Sequence, residues 1–344
     1  MRKAYCFCTA MLLALASIWL PFSKAVAQAF QAPPEVLAAA KKEGQVVYYS
    51  SFEAPALRQV IQRFNKRFPE IEIVHFRAQP SPSVQHIISE QRAGKMSVDV
   101  LDSPISFIQP LLDRNLLKPY DWSAAFGVDK DYQFYDGRLV NILHLDMPIA
   151  YNTNLVKAGE INTWDDLLNP RWRGKIVMEA RGLPFAVLAT VWGQEKTVDY
   201  LGKLMTNKPT VMLGGTPVLE ALAGGQASIA VGSYGGKVEL FKERSKAPLE
   251  WVRTTVPAST YAVGVIEGAP HANAARIWCA WLASVEGQDA LDQEFWYASL
   301  VGAQVSRIGK ELKAKNIQLV IEPLDVAKGQ ALLDVMSKTI GSLK

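Results

Sequence analysis

Ile149-Ala150-Tyr151-Asn152-Thr153 and Asn169-Pro170-Arg171-Trp172-Arg173-Gly174-Lys175-Ile176-Val177-Met178 are the two stretches that decide the fold of this chain. The first ends an apolar strand that starts at Leu139, and a short helix over Thr163–Leu168 separates the two stretches. Thr163 is expected to cap that helix, because a hydroxyl at this position accepts from the free amides of the first turn. The proline that follows ends the helix, and the glycine turns the chain into a new apolar strand. No residue in this block is an obvious catalyst.

Outward from this block, residues 44–101 alternate between strands and helices. Val46–Tyr49, Ile71–Phe76 and Val98–Leu101 are apolar runs typical of buried strands, and apolar side chains at helical spacing lie between them. The same alternation returns after Ile176. Such βαβ units build parallel sheets with right-handed crossovers. The sequence therefore predicts an α/β protein with two lobes, each a mostly parallel sheet flanked by helices.

Two lobes without a low-complexity linker suggest that the chain crosses between them more than once, which makes a hinge. We place the crossings near His144–Pro148 and Thr255–Ala262. Lobe 1 is then predicted to comprise residues 28–145 and 257–303, and lobe 2 residues 146–256 and 304–344. The space between the lobes is an interlobe cleft.

Residues 1–27 have the pattern of a signal peptide. Arg2 and Lys3 precede an apolar run, Met11–Leu20, that is too short to span a bilayer. Ala25-Val26-Ala27 is a small-x-small site, so cleavage is expected near Ala27 and the mature protein in a bacterial periplasm. Cleavage removes three basic residues and no acidic one, which lowers the formal charge from +4 to +1. A near-neutral chain argues against a nucleic-acid binder.

Cysteine and histidine usage excludes several classes of site. Cys279 is the only cysteine after residue 27, so neither an internal disulfide nor a zinc site with two thiolates can form. The four histidines form no His-x-x-x-His pair, and we expect no metal and no cofactor. An exported enzyme with Cys279 or Glu179 as its reactive group stays open as an alternative. The sequence offers no nucleophile–base pair for it, so the prediction is a protein without catalytic residues.

The candidate binding residues follow from the expected strand ends. In open α/β sheets ligands bind beyond the carboxyl ends of strands, where helix N-termini point their free amides. The residues selected in this way are Ser50, Ser51, Phe52, Ser103, Arg181, Gly215, Thr216 and Tyr234. Their hydroxyl, amide and guanidinium groups suit a small oxyanion. Structural roles also stay open: Ser50, Ser51 and Thr216 as helix caps, Gly215 in a turn, and Tyr234 as a packed aromatic.

These features resemble the type II periplasmic solute-binding proteins, in the branch that contains the ferric-ion binders. In that branch a Tyr-Asn-Thr strand precedes a Pro-x-Trp-basic-Gly-Lys-Ile strand entry, as at Tyr151–Thr153 and Pro170–Ile176 here. The resemblance extends over roughly residues 44–300. It implies a type II periplasmic-binding-protein fold that closes on a solute and presents it to the membrane permease of an ABC importer. It also implies a monomer.

The sequence differs from the ferric-ion binders at the positions of the iron ligands. Ferric-binding members use a His in the first strand–helix loop, a Glu after the third strand and two adjacent tyrosines in the second lobe. Here the first loop is Ser50–Glu53, the Glu position falls near Pro104, and Gly235-Gly236 replace the tyrosines, with Tyr234 one step earlier. One phenolate is too few for ferric iron. The resemblance therefore implies a small organic anion: a phosphonate, a sugar phosphate or a carboxylate. Phe52 would line the space that the organic group of this anion occupies.

Two alternatives to this transport role stay open. One is ferric-iron transport on the same fold. The other is a ligand-sensing subunit that docks on a signalling receptor instead of a permease.

Overall fold

The computed structural model describes residues 30–297 and 306–342. The expected signal peptide, its cleavage site near Ala27 and residues 298–303 of the predicted lobe 1 lie outside the described residues. The strands are β1 (Gln45–Ser50), β2 (Glu72–Arg77), β3 (Val100–Pro104), β4 (Gln133–Phe134), β5 (Leu139–Asp146), β6 (Ala150–Asn152), β7 (Ile176–Glu179), β8 (Thr210–Met212), β9 (Ile229–Val231), β10 (Leu249–Trp251), β11 (Val256–Val265) and β12 (Leu319–Ile321).

The helices account for most of the remaining described chain. They are α1 (Pro34–Glu43), α2 (Ala54–Arg67), α3 (Pro80–Arg92), α4 (Gln109–Leu112), α5 (Trp122–Phe126), α6 (Leu183–Trp192), α7 (Gln194–Met205), α8 (Gly215–Ala223), α9 (Gly235–Ser245), α10 (Ala272–Ala283), α11 (Val285–Phe295), α12 (Arg307–Ala314) and α13 (Val326–Ser342). Short 3-10 helices are formed by Ile105–Phe107, Lys130–Tyr132, Asp165–Leu168 and Pro170–Trp172. Within the described ranges, no helix has both the length and the apolar composition needed to cross a bilayer.

The strands form two sheets, which confirms the predicted two-lobed α/β architecture. The first sheet has the order β2-β1-β3-β11-β5-β4, with β12 beside the start of β11, and the second has the order β10-β6-β9-β7-β8. As expected, β1 pairs in parallel with β2 and β3, and β7 pairs in parallel with β8 and β9. The sheets are nevertheless mixed and not mostly parallel. Strand β11 returns from the other lobe and therefore runs antiparallel to β3 and β5, and β6 runs antiparallel to β9 and β10.

The chain passes between the sheets at two places, the first within the predicted span His144–Pro148 and the second just before most of the predicted span Thr255–Ala262. It leaves the first sheet at Asp146, enters the second at Ala150, and returns between Trp251 and Val256. A further connection escaped the sequence analysis, which assigned 304–344 to lobe 2. Strand β12 lies in the first sheet, where Leu319 pairs with Val256, whereas α13 packs on the second lobe. A strand of three residues between two helices is too short to show a period-2 pattern.

The two sequence motifs are anchors within the second lobe. The buried Asn152 side chain donates to the Leu222 carbonyl at 2.9 Å and thereby joins the end of β6 to α8. Trp172 is buried in the core of this lobe. Gly174, at φ +70°, turns the chain into β7, and its amide donates to the Asn207 carbonyl at 2.7 Å.

The expected helix cap at Thr163 is not present. The segment is a 3-10 helix that begins at Asp165, one residue later than a cap at Thr163 requires. The carboxylate of Asp166 instead accepts from the backbone amides of Asn162 and Thr163, at 2.8 and 2.9 Å. The acidic residue therefore ties the helix to the two residues before its cap position, and no side chain caps the amides of the first turn.

Aromatic packing fixes α10 on the first sheet. Trp278 and Trp281 stack with ring centroids 5.6 Å apart, and Phe64 of α2 packs edge-on against both. Cys279 lies between these tryptophans and is fully buried, which raises the pKa of its thiol well above the usual value. A thiol that stays protonated is a poor nucleophile.

Candidate functional site

A cavity of about 470 Å³ lies between the two lobes. Its first-lobe wall consists of Ser51, Phe52, Glu53, Arg77, Gln79, Pro80, Pro104, Leu145, Tyr261 and Tyr297. Its second-lobe wall consists of Arg181, Leu213, Gly214, Gly215, Thr216, Pro217, Tyr234 and Lys237. Most of these residues end or directly follow β1, β2, β3, β7, β8 or β9. The cavity therefore occupies the cleft beyond the carboxyl ends of the strands, where α/β proteins bind ligands.

Five helices of the described chain begin at this cavity. Glu53 immediately precedes α2, Gln79 precedes α3, Gly215 is the first residue of α8, and Tyr234 precedes α9. Arg181 lies two residues before α6. The first amides of a helix have no partner within it and carry the positive end of its dipole. Their convergence from both lobes favours a negatively charged ligand.

Arg181 is held in place by the acid at the end of β7. Glu179 is buried, and its carboxylate accepts from both the backbone amide and the Nε of Arg181, each at 2.8 Å. The same carboxylate accepts from the Gly214 amide at 3.1 Å. Burial alone would lower the pKa of Arg181, but Glu179 outweighs it and the pKa is raised. The two Nη atoms bond to no described residue, and the side chain remains 33% exposed, so these donors are available to a ligand.

Lys237 connects the two lobes across the cavity. Its Nζ lies 2.8 Å from Oε1 of Glu53 in the first lobe and 2.7 Å from Oγ1 of Thr216 in the second. The lysine side chain is 17% exposed. Burial would raise the pKa of Glu53, but the hydrogen bond and charge of Lys237 lower it overall. A third cation, Arg77, is exposed at the edge of the cavity.

Three tyrosines and a phenylalanine form the inner wall. Phe52 stacks on Tyr261 with ring centroids 5.3 Å apart and also contacts Tyr297. Burial raises the pKa of Tyr234, Tyr261 and Tyr297 above the ordinary value. Their hydroxyls therefore stay protonated at neutral pH and can donate hydrogen bonds to an anion.

A buried acid lies behind this wall. Asp102 accepts a hydrogen bond from the hydroxyl of Tyr48, and Ser51 bonds to the hydroxyl of Tyr261. Burial raises the pKa of Asp102 to about 6, although Ser50 and the two tyrosine hydroxyls favour its charged form. The network fixes the ring of Tyr261 at the inner end of the cavity.

Six of the eight residues predicted from sequence line the cavity together. They are Ser51, Phe52, Arg181, Gly215, Thr216 and Tyr234. The suggested capping role of Thr216 is absent: the residue before α8 is Gly214, and the Thr216 hydroxyl contacts Lys237. Gly215 approaches Gly232 so closely that a Cβ would lie 3.2 Å from its carbonyl oxygen, so this glycine is a packing position as well as a wall residue.

Ser50 and Ser103 do not reach the cavity. Ser50 is buried, and its Oγ accepts from the Phe52 amide at 3.0 Å. The sequence placed the end of the third strand at Leu101, but β3 continues to Pro104, so Ser103 lies within the strand and is buried. Its hydroxyl donates to the Pro104 carbonyl at 3.0 Å.

Several wall residues are absent from the eight predicted from sequence, among them Lys237, Arg77, Tyr261 and Tyr297. Lys237 lies one helical turn after Tyr234, and Arg77 directly follows the predicted strand Ile71–Phe76, so the strand-end rule could have found both. Tyr261 lies inside a continuous buried strand, and Tyr297 follows α11 from another part of the first lobe. No local pattern marks these two tyrosines, because only the tertiary fold brings them to the cleft.

The described chain contains no cluster of three or more His, Cys, Asp or Glu side chains arranged to hold a metal ion. The carboxylate on the cavity wall, Glu53, is paired with Lys237. The site therefore offers cations, hydroxyls and amides on its surface.

Comparison with known proteins agrees with this geometry. The family model for bacterial extracellular solute-binding proteins matches residues 49–289. This chain belongs to that family. Its relatives are solute-binding proteins of ABC transporters, so the prediction that the chain is not an enzyme is confirmed. The predicted recognition of the type II periplasmic class is confirmed as well.

The relatives differ in the ligands that their names give. A Serratia marcescens Fe(3+)-binding periplasmic protein is 24% identical over 263 residues, which are 70% of this chain and 73% of that protein. A Salmonella typhi protein, provisionally named as a 2-aminoethylphosphonate-binding periplasmic protein, is 23% identical over 213 residues, or 58% of this chain and 61% of that protein. The chain spans from 38% to 73% of the length of the first curated relatives that it matches.

Solved structures confirm the fold. The crystal structure of iron-bound HitA from Pseudomonas aeruginosa superposes with a TM-score of 0.73 at 16% identity, covering 86% of this chain and 99% of that chain. The substrate-binding protein of an ABC transporter from Agrobacterium tumefaciens gives 0.73 at 15% identity, covering 86% of this chain and 94% of that chain.

Proposed function

We propose that this protein is the periplasmic binding component of an ABC importer and that it captures a small organic anion. The candidate classes are phosphonates, sugar phosphates and carboxylates. The observation that carries the proposal is the charge of the cleft: five helix N-termini and three cationic side chains face a cavity with one wall carboxylate, Glu53, which Lys237 neutralises. The signal peptide would be cleaved near Ala27, and the mature protein would act as a monomer that docks on the permease.

Closure follows from the placement of these donors. Arg181, Tyr234 and Lys237 belong to the second lobe, whereas Ser51 and Arg77 belong to the first. An anion that contacts both walls binds the closed form more tightly than the open form, and this difference drives closure. Charge-assisted hydrogen bonds of about 1.5–3 kcal/mol each can support micromolar affinity, about −8 kcal/mol, after ordering costs.

The size and wall of the cavity favour an organic anion over a simple ion. A volume of about 470 Å³ is within the range of sites for small organic ligands. Phe52 and the tyrosine rings give one side of the cavity an apolar surface next to the polar groups. The relative that is provisionally named for 2-aminoethylphosphonate supports phosphonates as the first class to test.

The test is a thermal-shift screen of the mature protein against 2-aminoethylphosphonate, sugar phosphates, dicarboxylates and ferric citrate. We expect at least one organic anion to raise the melting temperature, with calorimetry confirming one site per chain. Stabilisation by ferric ion alone, without effect of any organic anion, would contradict the proposal.

Ferric iron is the second candidate, and one observation favours it. The tertiary fold brings Tyr234, Tyr261 and Tyr297 to the cavity, where the sequence had shown a single tyrosine. Phenolates are good ferric ligands, but the neighbouring cations Arg77, Arg181 and Lys237 oppose a trivalent ion. A visible tyrosinate-to-iron absorption band on addition of ferric citrate would establish this alternative.

A further inference from the structure

A buried carboxylate lies at the crossing between the lobes. Asp146 is the last residue of β5, pairs with Ala258 of β11, and is fully buried. Directly after it, the chain passes through Met147 and Pro148 into the second lobe. Any rotation of one lobe against the other takes place next to this side chain.

The first turn of α9 is packed directly against Asp146. A Cβ on Gly235 would lie 2.0 Å from Oδ2 of Asp146. A Cβ on Gly236 would lie 2.5 Å from the Phe295 carbonyl oxygen and 2.6 Å from that of Trp296. All three distances are shorter than real contacts allow. At Gly236 the opposing atoms are backbone oxygens, so only glycine fits there, whereas a Cβ at Gly235 would displace the Asp146 carboxylate. The pair Gly235-Gly236, which stands where ferric-binding relatives have tyrosines, is therefore a packing device between the hinge and the end of α11.

The same turn carries two residues of the cavity wall. Tyr234 immediately precedes Gly235, and Lys237 follows Gly236. The amides of a first helical turn have no partner within the helix. The orientation of both wall residues therefore depends on what the two glycines pack against.

Fold stability does not account for an acid at this position. Neither carboxylate oxygen of Asp146 makes a hydrogen bond of normal geometry with a described residue, although the Gly236 amide is placed to favour its charged form. Burial, together with the neighbouring acids Glu239 and Glu311, raises the pKa of Asp146 to about 7. A buried polar group without good partners destabilises a fold.

We propose that Asp146 is a positioning residue of the binding site: by contacting the first turn of α9 from the hinge, it holds Tyr234 and Lys237 in the cleft and couples their placement to lobe closure. The binding part of this inference rests on the proposed capture of an anion in the cleft. The positioning part does not, because the contact is present without a solute.

Hydrogen–deuterium exchange in the solute-free protein tests the positioning directly. In Asp146→Ala we expect amide exchange of residues 235–238 to be faster by about tenfold, because the first turn loses its packing partner. Asp146→Asn keeps the shape and should stay within about threefold of the wild type. Glu322→Gln is the matched control, since Glu322, directly after β12, is also a buried acid but accepts hydrogen bonds from Ser259 and Thr260 of β11. Wild-type exchange in Asp146→Ala would overturn the inference.

Calorimetry with 2-aminoethylphosphonate as the probe tests the consequence for binding. We expect Asp146→Ala to weaken its affinity by about tenfold or more, with Asp146→Asn and Glu322→Gln close to the wild type. If Asp146 only stabilised the fold, its substitution would lower the melting temperature, and any loss of affinity would be no larger than that loss of stability explains. Unchanged affinity in Asp146→Ala would overturn the coupling to the site. Absence of probe binding in the wild type would count against the phosphonate assignment, and the exchange result alone would then decide the positioning role.

Discussion

At the scale of single residues, the cleft depends on pairs in which one partner orients the other. Glu179 fixes the backbone and Nε of Arg181 and leaves the Nη donors to the cavity. Glu53 and Thr216 orient Lys237 in the same way. Donors that are already fixed lose little side-chain entropy when a ligand binds, which increases the affinity that each hydrogen bond provides.

We predict that Arg181→Ala weakens solute affinity by about ten- to a hundredfold, which corresponds to the loss of charge-assisted bonds of about 1.5–3 kcal/mol. The melting temperature of the solute-free protein should fall only slightly, because Glu179 still accepts from two backbone amides. Calorimetry and thermal unfolding measure the two effects. Arg173→Ala, which removes an exposed arginine of the same lobe, is the control. Normal solute binding by Arg181→Ala would show that Arg181 is not an anion ligand.

At the scale of elements, the C-terminal helix α13 supports the loop that presents Arg181. Gly182 has φ +70°, and a Cβ there would lie 2.7 Å from Cδ1 of Ile340 and 3.2 Å from Cβ of Met336. Both contacts belong to α13, which packs along α6. The loop after β7 is therefore packed against α13.

Gly182→Ala should accordingly lower the free energy of unfolding by about 2–4 kcal/mol. About 1–2 kcal/mol comes from the left-handed backbone and the rest from overpacking against α13. Gly159→Ala is the matched control, because Gly159 has φ +82° but no atom within 4 Å of an added Cβ. Gly159→Ala should lower the free energy of unfolding only by the contribution of the left-handed backbone, about 1–2 kcal/mol. Equal losses in the two variants, measured by urea unfolding, would show that the contact with α13 adds nothing.

The elements with strong local patterns could be predicted from the sequence. The arrangement of strands that pair with distant segments could not. Strands β1, β2 and β7 and helices α2 and α3 were predicted within a few residues, because apolar spacing and turn residues determine them. The antiparallel insertion of β11 and the pairing of β12 depend on contacts between distant segments, so no local pattern reveals them. The same reason explains the site: Arg181 and Tyr234 follow strands, whereas Tyr261 and Tyr297 reach the cavity only through the fold.

At the scale of the whole molecule, several buried acids connect the stability of the protein to pH. Burial raises the pKa of Asp146 and Glu322 to about 7 and that of Asp102 to about 6. In the unfolded chain these groups titrate near pH 4, so the folded chain holds more protons between about pH 4 and 7. Their contribution to stability is complete below pH 4 and is lost as the pH rises through 7.

We therefore predict that the melting temperature falls as the pH is raised from 6.5 to 8. This window is chosen because His75 and His144 act in the opposite direction below pH 6.5, where burial lowers their pKa, that of His144 to about 4. Glu322→Gln should flatten the dependence by removing one of the groups. Scanning calorimetry across this pH range measures it. A melting temperature that rises with pH would show that the buried acids are ionised in the folded state.

The connections between the lobes determine how the molecule can close. Strand β11 belongs to the first sheet, its start pairs with β12, and α13 then continues from β12 into the second lobe. Closure must therefore bend a few short crossings and leave both cores intact, as in hinge motions of two-lobed binding proteins.

The central claim is that the cleft holds one small organic anion, clamped by Arg181. Native mass spectrometry of the mature protein isolated from the periplasm tests it most directly, followed by titration of the molecule that is identified. We expect one organic anion per chain in the wild type and its loss in Arg181→Ala. A bound ferric ion, a neutral or cationic solute, or an anion retained in Arg181→Ala would contradict it.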